Sequence, residues 1–242
     1  MKTTSLNELS FALMELRRNE IKSTDTLPVK LVKSWVASTR ARLCKQKFDK
    51  PFTTIDNHFV QQYSNNGVAI QMEKVLSNNA SVDVFDYVYR TKIEIPHTIE
   101  RKGGLGTFTR IGPADKTRTK FNVVSYDRAL VSGNGYFNRN FIYAYVVGDY
   151  IYLTSKSGIH FTVQHIDVYG VFQDPIAAAV GHDSTWTHDD DYPVNQSIID
   201  QMHGLIITEK FKLVLTPLGD EIDDQSEQVE PGVVNTAQTK QG

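Results

Sequence analysis

The stretch Asn195–Leu218, NQSIIDQMHGLIITEKFKLVLTPL, decides how the rest of the chain is read. Pro193 stiffens its approach and Asn195 is a suitable N-cap. Ile198, Ile199, Met202, Leu205 and Ile206 follow at helical spacing, and Pro217 and Gly219 provide the stop. The first half carries one apolar stripe. The second half, with Phe211, Leu213, Val214 and Leu215, is apolar nearly all round, as in a helix buried on several sides. A helix of roughly 22 residues would reach about 33 Å. Asp200, Glu209, Lys210 and Lys212 interrupt it, so it does not read as membrane-spanning. Such a helix needs apolar partners, and the comparable ones lie at the N-terminus.

Those partners are two predicted helices. Ser5 and Glu8 form a capping-box pattern ahead of Leu6, Leu9, Leu13 and Leu16, which predicts a helix over 5–18. Pro28 introduces a second, over 29–48, with Leu31, Val32, Trp35, Val36 and Leu43 on its apolar side. The expected fold class is therefore α+β: N- and C-terminal helices forming a helical bundle, with a central antiparallel β-rich insertion. The segments are a helical hairpin over 1–50, the β-rich insertion over 51–181, an acidic loop with the bundle helix over 182–218, and a flexible acidic tail over 219–242.

Within the insertion, short β-branched and aromatic runs at 59–63, 68–70, 84–88 and 92–95 predict strands. The clearest β signal is 141–172. Gly148-Asp149 separates two aromatic, β-branched runs and predicts a tight hairpin, with 159–172 returning as the next strand or pair of strands of an antiparallel meander. The segment 97–120 is rich in Gly, Lys and Arg but matches no phosphate-binding pattern, and reads as a loop.

The net charge of -2 conceals an asymmetry. Residues 1–128 hold 21 Lys+Arg against 13 Asp+Glu; residues 129–242 hold 5 against 15. Candidates for facing an acidic partner or nucleic acid are Lys33, Arg40, Arg42, Lys45 and Lys47 on the second helix, with Arg101, Lys102 and Arg110 beyond it. Trp186 and the tail residues Asp220, Glu221, Asp223 and Asp224 are candidates for a protein interface. In His182–Asp191, the residues His182, His188, Asp189 and Asp191 are the weak candidates for a cation site, although the alternating Asp-x-Asp-x-Asp-Gly calcium loop is absent and the two histidines do not share a helical face.

The sequence holds no nucleophile elbow, no His-Glu-x-x-His, no paired-cysteine site and no nucleotide fingerprint, so neither catalytic residue nor cofactor is assigned. The single cysteine, Cys44, excludes an intrachain disulfide and reads as a small core residue. No signal peptide and no transmembrane run is expected.

Three segments carry a resemblance. They are STRARLCKQK at Ser38–Lys47, YGVFQDP at Tyr169–Pro175, and YPVNQSII at Tyr192–Ile199 leading into LGDEIDD at Leu218–Asp224. Together they resemble virion structural proteins of crAss-like and related Bacteroidetes tailed phages, most of all the neck ring protein that connects portal to tail. That resemblance implies a non-enzymatic homo-oligomeric ring around the DNA channel, twelve-fold as portals are. It also implies the portal and neighbouring neck or tail proteins as partners, non-specific contact with packaged DNA, no membrane, and assembly in the host cytoplasm. The alternative is a nucleic-acid-binding regulatory protein using the basic helical hairpin. A metal enzyme at His182 and His188 is the third reading.

Overall fold

The computed structural model describes residues 4–21, 27–50, 54–76, 87–101, 106–115 and 120–211. The helices are α1 (Leu6–Ile21), α2 (Val29–Phe48), α3 (Tyr126–Val131), α4 (Pro175–His182) and α5 (Gln196–Leu205). The strands are β1 (Gln61–Tyr63), β2 (Ile70–Leu76), β3 (Tyr87–Thr91), β4 (Phe108–Pro113), β5 (Asn122–Val123), β6 (Tyr143–Val147), β7 (Tyr150–Thr154) and β8 (His165–Gly170). All eight strands join one sheet in the order β1-β8-β2-β3-β7-β6-β5, with β4 on the other edge of β8.

This corrects the expected architecture. The body of the protein is a curled, mixed sheet of eight strands with few helices, not a terminal bundle interrupted by an antiparallel insertion. β5 and β6 run parallel, with Asn122 opposite Tyr143. The sheet curls until its limbs approach, and the Phe121 N–H donates to the Ile111 carbonyl at 2.7 Å. Its concave side encloses Ile70, Ile111, Phe121, Ile151, Leu153 and Ile166. β8 is central because both of its edges are paired: β1 and β2 share one, and β4 takes the other. So 165–170 is not the next strand of a meander. A 3-10 turn over Ile159–Thr162 carries the chain away from β7 before β8 begins.

The terminal helices share a second core, containing Leu9, Leu13, Val32, Val36, Ile198 and Met202. That core is not closed by helices alone. Phe59, Ile99, Val171 and Tyr192, from strand ends and connections, complete it. The helices are therefore a layer on the sheet, because their apolar faces are wider than three short helices can cover for one another.

The expected long helix also divides. α5 ends at Leu205 and continues as a π-helical segment, Ile206–Phe211. Gly204 weakens the helix there, and the Thr208 hydroxyl donates to the Gly204 carbonyl at 2.8 Å. Residues 212–218 lie outside the described residues. The expected strand at 92–95 is also absent, whereas 108–113 of the expected basic loop is β4.

One side chain joins the two cores. Arg40 is 0% exposed on α2. Its Nε donates to the Pro193 carbonyl at 2.9 Å and its Nη1 to the Phe172 carbonyl at 3.0 Å. Its guanidinium carbon lies 5.8 Å from the centre of the Tyr192 ring. Replacing it orphans two carbonyls at the junction, so we expect Arg40→Met to lower stability by about 2–4 kcal/mol. Urea denaturation measures this, and a loss below about 0.5 kcal/mol contradicts the assignment.

Candidate interaction surface

β5 and β6 are parallel neighbours, and parallel strands require a crossover. Here the crossover is α3 followed by 132–142. α3 buries only Ala129, leaving Tyr126, Leu130 and Val131 in solvent. At its tip Tyr136 and Phe137 are 80% and 87% exposed, and their rings meet edge to face at 5.3 Å. Exposed aromatics at this density, with Phe141 beside them, form a patch that a lone soluble chain would ordinarily cover.

The protrusion is anchored. The Ser132 hydroxyl donates to the Arg128 carbonyl at the end of α3. Gly133 takes φ +83°, and a side chain there would also press on the Lys156 stem. The Arg139 carbonyl accepts from the Ser155 hydroxyl at 3.0 Å and the Ser157 N–H at 3.1 Å. At its base Tyr126 leans on Tyr145, which stacks on Tyr152 at 5.4 Å. Burial, then the neighbouring tyrosines, push the Tyr145 phenol up to about 12. Arg128, Arg139 and Lys156 give this surface exposed positive charge.

Beside it lies a cleft of about 120 Å³, lined by Tyr87, Tyr89, Tyr145, Lys156, His160 and Phe161. His160 Nδ1 is buried with no hydrogen-bond partner among the described residues, and burial pulls the ring down to about 4.

The residues expected from sequence fall elsewhere. Arg40 is buried, so it faces neither DNA nor a partner: its stem enters the core and its head is held by two carbonyls. Arg42 is exposed and makes a two-pronged ion pair with Glu209, at 2.7 and 3.1 Å. That hydrogen-bonded fork holds the Glu209 carboxyl below the usual range. Lys47 lies 5.0 Å over the Phe59 ring. Lys45 is exposed, while Lys33, Arg101 and Arg110 are half-buried. Lys102 and the tail residues Asp220, Glu221, Asp223 and Asp224 lie outside the described residues.

The four cation-site candidates are not brought together. His182 Nδ1 is 2.7 Å from the Ser64 hydroxyl. The His188 ring meets half-buried Trp186 at 5.6 Å. Asp189 accepts from the Asn7 side-chain amide, and Asp191 bridges to Ser5 through the backbone. No group of three or more His, Cys, Asp or Glu able to hold a metal occurs among the described residues. Nor is any described helix long and apolar enough to cross a membrane.

The crossover patch was not singled out from sequence. Its signal was available: Tyr136-Phe137 stands between Gly133-Asn134-Gly135 and Asn138, large aromatics set among turn formers.

A folded body that presents an anchored aromatic protrusion is the anatomy of an assembly subunit. The family model described as phage tail ring protein 2 matches residues 12–229, nearly the whole chain, and the chain belongs to that family of the crAss-like ring proteins. It is thus a virion tail protein of the ring class. No curated protein matches it.

The buried, neutral His160 has a pH consequence. Its folded pKa lies below the unfolded value near 6.5. The unfolded chain therefore takes up the proton first. The stability that neutral His160 contributes is complete above about pH 6.5 and is lost as pH falls toward 4. We expect a loss of up to about 3 kcal/mol over that interval, absent in His160→Phe. Parallel pH-dependence curves for the two proteins contradict this.

Proposed function

We propose that this chain is a non-enzymatic subunit of a closed homo-oligomeric ring that joins the portal, and so the head, to the tail around the DNA channel. Membership in the phage tail ring protein 2 family carries the ring and the tail. The exposed Tyr136-Phe137 protrusion supports a chain that works through its surfaces. A ring seated on a portal takes the portal's symmetry, so the reading favours twelve copies. Assembly belongs in the host cytoplasm, before the head and tail meet. Neighbouring neck or tail proteins would occupy the faces above and below the ring.

Contact with packaged DNA requires exposed cations. On α2 these are reduced from the sequence expectation, because Arg40 is buried and Arg42 is committed to Glu209. Lys30 and Lys45 remain, and Lys33 and Lys47 in part. This also weakens the alternative of a regulatory nucleic-acid-binding protein built on the basic hairpin, which has lost its central arginine.

The native mass of the full chain, with negative-stain images of the same sample, tests the reading. Closed rings are expected, either from the chain alone or on addition of its portal. A chain that remains monomeric in both conditions contradicts it.

A further inference from the structure

We propose that the ring closes head to tail through two surfaces of this chain. The α3 crossover of one copy, led by Tyr136 and Phe137, docks against the Asp183–Asp191 loop of the next. This rests on the ring reading and deepens it by assigning the interface.

A closed cyclic ring of more than two copies needs two different surfaces that match each other. The crossover lies on the β5/β6 end of the strand order. The acidic loop follows α4, which covers β1. There the Gln61 amide donates to the Pro175 carbonyl at 2.9 Å and the Asn66 N–H to the Gly181 carbonyl at 3.0 Å. The two surfaces are thus carried by different strands of one sheet, the β5/β6 pair and β1.

Their charges are complementary. The crossover exposes Arg128 and Arg139 against a single carboxylate, Asp127, and the adjoining turn after β7 adds exposed Lys156. The loop exposes Asp183, Asp189, Asp190 and Asp191. Among the described residues neither set makes an ion pair within its own chain. Among the described residues Asp183, Asp190 and Asp189 accept from the neutral donors Thr185, Thr187 and Asn7. Half-buried Trp186 gives the aromatic tip an apolar counterpart. Both surfaces are held in place before assembly, the crossover by Ser155 and Ser157, and the loop by α1 through the Asn7 N–H to the His188 carbonyl at 3.1 Å. Docking therefore orders little additional chain.

The test is charge reversal in the full-length protein, read by native mass and negative stain under the conditions in which wild type forms rings. Arg139→Glu with Lys156→Glu should raise the concentration needed for ring formation at least about tenfold. Asp189→Lys with Asp191→Lys should do the same. Neither pair caps a helix or enters a core, and circular dichroism with melting curves confirms that each variant folds. The chain carrying all four reversals should assemble again, since reversed crossover meets reversed loop. Rings that form unimpaired with either reversed pair, or a fourfold variant that folds but does not recover, overturn this interface and leave the ring reading intact. A wild-type chain that forms no ring, alone or with its portal, overturns both.

Discussion

The buried Arg40 guanidinium is the constraint on which the rest of the architecture depends. A cation that, like Arg40, pairs with no carboxylate among the described residues is costly to bury, and is tolerated where carbonyl dipoles and an aromatic ring replace its water. Phe172 and Pro193 supply the carbonyls and Tyr192 the ring. Those acceptors stand at the two ends of the segment that contains α4 and the acidic loop. One side chain from α2 therefore closes that excursion and fixes the helical layer to the end of β8. Burial of the Tyr192 phenol, pushed up to about 12, belongs to the same dry junction.

The second constraint is topological. Most of the sheet is antiparallel, and a tight turn can close an antiparallel pair, as at Gly148 (φ +59°) between β6 and β7. β5 alone lies parallel to its neighbour, and its return path must leave the sheet. α3 and the residues after it form that path. They bury one alanine of the helix and expose its large apolar side chains, which converts a connection into a surface. In a ring protein such a surface is useful only if something covers it, and the chain's own acidic loop offers the complementary charge.

Local chemistry was legible in the sequence where it acts over a few residues. The Ser5–Glu8 capping box forms in both directions at 3.1 Å, and Asn195 accepts from the Ile198 N–H at 3.0 Å. The Gly148-Asp149 hairpin forms with Val147 opposite Tyr150. Apolar periodicity found α1 and α2 and the start of α5. It did not reveal that their shared face lies against strand ends, because periodicity shows that a face is buried and not what buries it. The order of the strands was equally hidden: β8 takes partners from across the chain, and nothing local marks it as central. Arg40 was misread for a related reason. Its charge suggested the surface, while its place among Val36, Leu43 and Cys44 on the buried side of α2 pointed inward. The family was legible because its motifs are architectural. STRARLCKQK contains Arg40, and YGVFQDP and YPVNQSII contain the carbonyls that Arg40 holds.

The central claim is that this fold is completed by its own copy, crossover against acidic loop. Hydrogen exchange on the assembled ring and on the dissociated chain tests it most directly, since amides covered by a neighbour slow down without any mutation. Protection gained on assembly is expected to concentrate in 126–141 and in 183–191. Protection confined to other surfaces, with both segments exchanging as in the free chain, would contradict it.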